Sequence, residues 1–197
     1  MPEKRPDRAI EIAKRSGIPL KLAAKVDAVD IAYFKTEIEP LLDHPLIEFI
    51  GEIGETQKSE FLGNARALLF PIDWPEPFGL VMIEAMSAGT PVIAWPNGSV
   101  PEVIADGVSG RIVGSIDAAA GAARQIAHMD RRKVRAEFER RFTAEMMADA
   151  HIAAYRLLLA RASAPTRLMV LPMVPPAAPE LLPRLGNKRR GKAARRP

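Results

Sequence analysis

The sequence contains no cysteine, which excludes disulfides and thiolate sites and suits a reducing cytoplasm. It has no run of about 18 uncharged apolar residues, the length a membrane-spanning helix requires. The opening stretch, MPEKRPDRAIEIAKRSG, carries charges and early prolines in place of the apolar segment of a signal peptide. Histidine is scarce: His44, His128 and His151 fall on separate helical segments. No group of Asp and His has ligand spacing, so no metal site is expected. These absences describe a cytoplasmic chain. Asn97-Gly98-Ser99 matches a glycosylation acceptor, but without a secretory signal the match is read as chance.

Hydrophobic residues make up 48% of the 197, enough for one domain with a real core and a tail. The net charge of +4 is unevenly placed. Residues 163–197 carry +7 and hold seven of the 18 prolines, whereas the rest carries −3. A segment of that composition buries too little apolar surface to offset its ordering entropy. Residues 1–162 are therefore expected to form the domain, and residues 163–197 a disordered basic tail. Such a tail can touch anionic surfaces such as RNA, DNA or lipid. A solvated tail without a specific partner is the simpler reading.

Short apolar runs alternate with helical patterns. LKLAA (20–24), LIEFIG (46–51), ALLFP (67–71), PVIAW (91–95) and GRIV (110–113) read as strands. Four are almost continuously apolar, as in parallel strands buried on both faces. Glu48 interrupts the second, which places it nearer an edge. Helices are expected from Pro6 to Gly17, Ala28 to Leu42, Thr56 to Gly63 and Gly79 to Ala88. Four more follow: from Pro101 to Asp106-Gly107, Asp117 to Met129, Arg131 to Arg140, and Thr143 to about Arg161. This alternation predicts an α/β fold with a Rossmann-like, doubly wound parallel sheet.

In such a sheet, ligands bind beyond the carboxyl ends of the strands. ALLFP ends at Pro71, so IDWPEPFG is a loop at that end. The helix beginning at Gly79 offers free N–H groups at Gly79, Leu80 and Val81, an anion site suited to phosphate. Gly79 permits close approach to the backbone. Glu76 lies just before this site, where it can accept hydrogen bonds from hydroxyls attached to the phosphate. Glu84 lies one and a half turns into the helix among apolar residues and needs donors there. A ribose diol would supply two. The pattern fits a nucleoside diphosphate carrying a sugar. Two glutamates alone would not decide this, because acids stabilise any helix N-terminus.

The wider motif does more. EPFGLVMIEAMSAGTPVIA closely resembles the E-x7-E signature of the family 4 GT-B glycosyltransferases, the retaining "group 1" enzymes. GSVPEVIADGVSGRIV, ARALLFPIDWPEPFG and LIEFIGEI continue the resemblance, which spans about residues 2–161. RFTAEMMADAHIAAYRLLLA resembles the family's closing helix, which crosses back to the first domain. The resemblance implies that Glu84 binds the ribose of a nucleotide-sugar and that Glu76, the expected catalytic carboxylate, lies against the donor sugar. It implies backbone contacts to sugar and phosphate from Phe78, Gly79 and Leu80, with Val81 beside them. Lys4 takes the lysine position of the family's Glu-Lys-Gly segment and would neutralise the diphosphate, but Arg5 replaces the glycine. Lys25, at the end of LKLAA, lies near the phosphates or is simply a solubilising lysine. No cofactor beyond the donor substrate is implied.

Family members have two Rossmann-like domains, and the first supplies the acceptor site. This chain aligns with the second, C-terminal one, beginning after its first and central strand. The expectation is a glycosyltransferase fragment that binds a nucleotide-diphosphate sugar, with an unknown acceptor (sugar, lipid or small molecule), inactive alone. A non-catalytic nucleotide-binding module completed by a separate N-terminal domain chain is the alternative; it differs in showing no acceptor-dependent turnover. An interaction protein acting through residues 163–197 would need neither Glu76 nor Glu84. Limited proteolysis should trim the chain to near Arg161 and leave the remainder resistant; a protected tail would favour that last reading.

Overall fold

The computed structural model describes residues 2–162; the expected tail at residues 163–197 lies outside them. Contacts divide the chain into a first unit, residues 1–157, and a second beginning at Leu158. The first unit holds five strands: β1 (Leu20–Ala23), β2 (Ile47–Gly51), β3 (Leu68–Phe70), β4 (Val92–Ala94) and β5 (Gly110–Ile112). All three strand pairs are parallel. The fold class is α/β, as the alternating pattern predicts.

Helix ends follow their punctuation. Helix α1 (Pro6–Ser16) starts on proline and stops at Gly17, whose φ of 72° is left-handed. Residues 28–41 depart from the single helix expected. They pass from a 3-10 turn through α2 (Ile31–Tyr33) and a π turn (Phe34–Ile38) into a second 3-10 turn (Glu39–Leu41). Pro40 lacks an N–H, so a regular α-helical ladder cannot run through it. Helix α3 (Glu55–Gly63) begins after Gly54 rather than on a Thr56 cap, and the Gln57 side chain accepts from Gly54 N–H at 3.0 Å. Then come α4 (Leu80–Ser87), the single turn α5 (Val100–Val103), α6 (Ile116–Gln125), α7 (Arg131–Arg141) and α8 (Ala144–Ala162).

The strands form two sheets, β1–β2 and β3–β4–β5. Strand β2 is an edge, as Glu48 suggests, and Glu48 pairs with Lys21 opposite it at 3.0 Å. Strand β4 is buried throughout, and its side chains alternate between two cores. Val92 and Ala94 join Leu62, Phe70, Met82, Ala85, Met86 and Val134. Ile93 joins Ile12, Trp95, Ala119, Ala120, Ala123 and Ile126. Helices α1 and α6 thus cover one face of β4, and α3, α4 and α7 the other.

One guanidinium fastens the second of these layers. Arg131 Nη1 donates to Ala65 O at 2.8 Å, and Nη2 donates to Gly63 O at 2.7 Å, Thr90 Oγ1 at 2.6 Å and Ala88 O at 3.4 Å. The fully buried Thr90 hydroxyl donates onward to Leu62 O at 2.7 Å. Carbonyls left unpaired at the ends of α3 and α4 are satisfied in this way. Replacing Arg131 by Met should lower the unfolding free energy by about 2–4 kcal/mol. Thr90→Val should cost less, and the double variant less than the sum, because the two share a network. Urea denaturation of the three variants checks this.

Candidate functional site

Strand β3 ends at Phe70, and the loop after it leads to α4. Gly79 is the residue before α4 and has φ 75°, ψ 63°. The left-handed φ is what favours glycine here; a Cβ would meet only the flexible tip of Met82, at 2.6 Å, and the edge of the Phe70 ring, at 3.2 Å. Helix α4 therefore starts one residue later than expected. Met82 N–H is taken by Gly79 O at 2.9 Å; the N–H groups ahead of it at the helix start lack an intrahelical acceptor and carry the positive end of the helix dipole.

The loop is braced by the turn after β4. Ser99 N–H donates to Glu76 O at 2.9 Å, and Ser99 Oγ donates to Phe78 O at 2.8 Å. Asn97 Nδ2 donates to Ile72 O at 2.8 Å. Gly98 lies so close that a Cβ would stand 2.3 Å from Glu76 O and 2.4 Å from Glu76 N. The Asn97-Gly98-Ser99 tripeptide is the strut that braces the Glu76 backbone.

The Glu76 carboxylate is largely shielded, its side chain 12% exposed. Its Oε2 accepts from Lys4 Nζ at 2.5 Å and from Trp74 Nε1 at 3.1 Å. Lys4 also stands 4.9 Å over the Trp74 ring. Asp73 N–H donates to Glu3 O at 2.8 Å, which holds the N-terminal segment against this loop. Arg5, in the position where the family has glycine, adopts a left-handed conformation with φ 52°. That conformation costs a non-glycine residue on the order of 1–2 kcal/mol. The Arg5 side chain offsets this through bonds to Asp7 at 2.6 Å and Asp73 at 2.8 Å. The Arg5 bond holds the Asp7 carboxyl below its ordinary range.

Glu84 is half-exposed rather than enclosed in apolar surroundings, and its Oε1 pairs with Lys58 Nζ at 3.0 Å. Lys58 also bonds Glu55 at 2.8 Å, and the two carboxylates, Glu55 first, raise its pKa. Lys25 is exposed and bonds Asp27 at 2.8 Å, which raises its pKa. Lys25, Lys58, Val81 and Glu84 all line one cavity of about 960 Å³. Phe78 and Leu80 are exposed beside the start of α4, and the Phe78 ring meets Phe142 edge-on at 6.3 Å. Among the described residues, no three acidic or histidine side chains converge as metal ligands. Nor is any described helix long and apolar enough to cross a membrane.

The structure thus gathers Trp74, Glu76 and the start of α4 on one loop, with Lys4 reaching it from the N-terminal turn, and Lys25, Lys58 and Glu84 on one cavity. Sequence reasoning missed Lys58, Trp74 and the 97–99 strut. Only the tripeptide carried a visible signal, a turn-forming Asn-Gly pair.

The family model of the group 1 glycosyl transferases matches residues 1–143. The chain belongs to this family. It is 35% identical over 109 residues to the D-inositol 3-phosphate glycosyltransferase of Streptomyces coelicolor, covering 55% of this chain and 20% of that protein. It is 33% identical over 91 residues to the phosphatidyl-myo-inositol mannosyltransferase of Mycobacterium leprae, covering 46% and 24%. The chain thus spans about a fifth to a quarter of these curated relatives. Among solved structures it resembles AviGT4, a glycosyltransferase involved in avilamycin A biosynthesis, with TM-score 0.69 and 29% identity, covering 81% of this chain and 49% of that one. HepE of Anabaena, solved with UDP and glucose, shares the fold at TM-score 0.65 and 22% identity, covering 81% and 46%.

In this group 1 glycosyl transferase chain, Gly98→Ala should displace the Glu76 loop. The expected cost is about 1–3 kcal/mol from overpacking, with added strain at φ 57°. A fall in melting temperature, together with a changed environment of the Trp74 indole in near-UV circular dichroism, checks this.

Proposed function

We propose that this chain binds a nucleoside diphosphate sugar and serves as the donor half of a retaining glycosyl transfer. The supporting observation is the start of α4, with Gly79 left-handed at its head, lying in sequence between two carboxylates that are each held by a lysine. The diphosphate sits on the Gly79, Leu80 and Val81 N–H groups, where the helix dipole favours an anion. Glu84 takes the ribose diol, and Lys58, 3.0 Å away, keeps that carboxylate oriented. Glu76 faces the donor sugar, with the Phe78 backbone beside it.

Transfer breaks the bond between the anomeric carbon and the diphosphate oxygen and forms one to an acceptor hydroxyl, whose proton passes to the departing diphosphate. Negative charge grows on the departing diphosphate. Lys4 meets that charge by sharing its ammonium between Glu76 and the phosphate, while Trp74 keeps one hydrogen bond on Glu76. Preorganised cations and dipoles of this kind stabilise a leaving group without reorganisation at the moment of reaction. Lys25 adds positive charge at the cavity wall. The acceptor, a sugar, lipid or small molecule, is met by surfaces beyond residues 1–162. The bonding available to Glu84 does not discriminate among bases, because both hydroxyls it takes belong to the ribose.

The test is calorimetric titration of the full chain with UDP, GDP and ADP. One of the three should bind, and Glu84→Gln should weaken it by about 1–3 kcal/mol, the loss expected for a hydrogen bond to a charged group. An unchanged affinity would remove the ribose assignment, and binding of none would remove the donor-site reading.

A further inference from the structure

Lys4 ends a single 3-10 turn, Pro2–Lys4, closed by Arg5 N–H donating to Pro2 O at 3.0 Å. One such turn has few hydrogen bonds of its own, and a lysine ammonium rides on a flexible stem. Yet Lys4 Nζ stands 2.5 Å from Glu76 Oε2 and 4.9 Å over the Trp74 ring. The backbone from which it reaches is fixed by Asp73. Asp73 N–H donates to Glu3 O at 2.8 Å, and Asp73 Oδ2 accepts from Arg5 Nη1 at 2.8 Å. The residues on either side of Lys4 are thus both bound to one residue of the loop that carries Glu76. The same Oδ2 accepts from Arg8 Nη2 at 2.9 Å, and Arg8 Nη1 donates to Pro71 O at 3.3 Å. The first turn of α1 is therefore fastened to this loop as well. The left-handed Arg5 turns the chain between the 3-10 turn and α1. Its Nε and Nη2 hold Asp7, so the guanidinium is already oriented where it meets Asp73.

We propose, taking Lys4 and Glu76 as donor-site residues, that Asp73 is a positioning residue: by holding Glu3 and Arg5 it places the Lys4 ammonium between Glu76 and the departing diphosphate. Stability does not account for this cluster. Asp73 is half-exposed, and exposed ion pairs contribute little to folding free energy. What the bonds from one residue to both neighbours of Lys4 supply is geometry. A displacement of about 1 Å at a group that must meet a leaving group costs far more than the bond that was lost. Asp73 is itself an anion that would repel a diphosphate, so it acts through Lys4. The same arrangement gives a reason for arginine where the family has glycine. Glycine would permit the left-handed turn without strain, but it would bring no guanidinium to lock the turn that carries Lys4.

The experiment compares Asp73→Ala, Arg5→Gly, Lys4→Met and the Asp73→Ala/Lys4→Met double variant with the unaltered full chain. The first readout needs no nucleotide. It is the indole N–H resonance of Trp74 in heteronuclear NMR, told from that of Trp95 by a Trp74→Phe variant. That N–H donates to the Glu76 oxygen that also takes the Lys4 ammonium, so it reports where the ammonium stands. Lys4→Met should move the resonance, and Asp73→Ala and Arg5→Gly should move it in the same direction. The double variant should move it no further than Lys4→Met. Arg5→Gly should do this without lowering the melting temperature, because it also relieves the left-handed strain. The second readout is affinity for UDP, GDP or ADP, whichever binds, set against the parent nucleoside. Asp73→Ala should weaken the diphosphate about tenfold and leave the nucleoside unchanged. An unmoved Trp74 resonance in both Asp73→Ala and Arg5→Gly would overturn the proposal, as would equal losses for diphosphate and nucleoside. If none of the three nucleotides binds the unaltered chain, the donor-site reading fails, and the indole resonance alone decides whether Asp73 places Lys4.

Discussion

The region beneath the site rests on the Arg131 guanidinium. A helix ending inside a protein leaves carbonyl groups that must find donors, and α3 and α4 both end close to β4. Arg131 answers several of these demands at once with a planar fork of five donors, a geometry that lysine cannot reproduce. Thr90, fully buried, relays one further bond to Leu62 O. The start of α7 is thereby tied to the ends of two helices that carry Lys58 and Glu84. Were those helices free to slide, the 3.0 Å pairing between these two side chains would not be kept.

On the other side of α4, rigidity comes from backbone rather than from charge. The turn at residues 97–99 presses against the backbone of Glu76 and holds it through Ser99. Lys4 and Trp74 then fix the carboxylate itself. Two carboxylates eight residues apart are thus held by independent supports, one anchored in the N-terminal turn and the 97–99 strut, the other in α3. Gly79 separates the two with a left-handed residue that turns the chain sharply into the helix.

What the sequence made legible was local. Proline at the start of α1, Gly17 at its end, and the apolar run of β4 act within a few residues of where they stand. The E-x7-E stretch could be recognised because its loop and helix are contiguous. Residues 28–41 resisted, since Pro40 converts a helical pattern into mixed 3-10, α and π turns whose boundaries depend on packing. The lysine partners resisted for another reason: Lys4 and Glu76 are 72 residues apart, and Lys58 and Glu84 are 26 apart. Periodicity carries no information about such pairs. The separation of β1 from β3 was foreshadowed by the family resemblance, but the cavity that both strands line became visible only when they were placed in space.

The two lysine–glutamate pairs have a consequence for how an anion approaches. Each carboxylate has a cation within 3.0 Å, so the surroundings of the α4 start are close to electrically neutral from a distance. Long-range steering by a net field, which speeds association and fades as ionic strength rises, is correspondingly weak here. Capture falls to the short-range dipole of the helix and to the backbone N–H groups, which act over about one turn. Encounter with a diphosphate at this surface should therefore proceed at nearly the same rate in dilute buffer and in physiological salt.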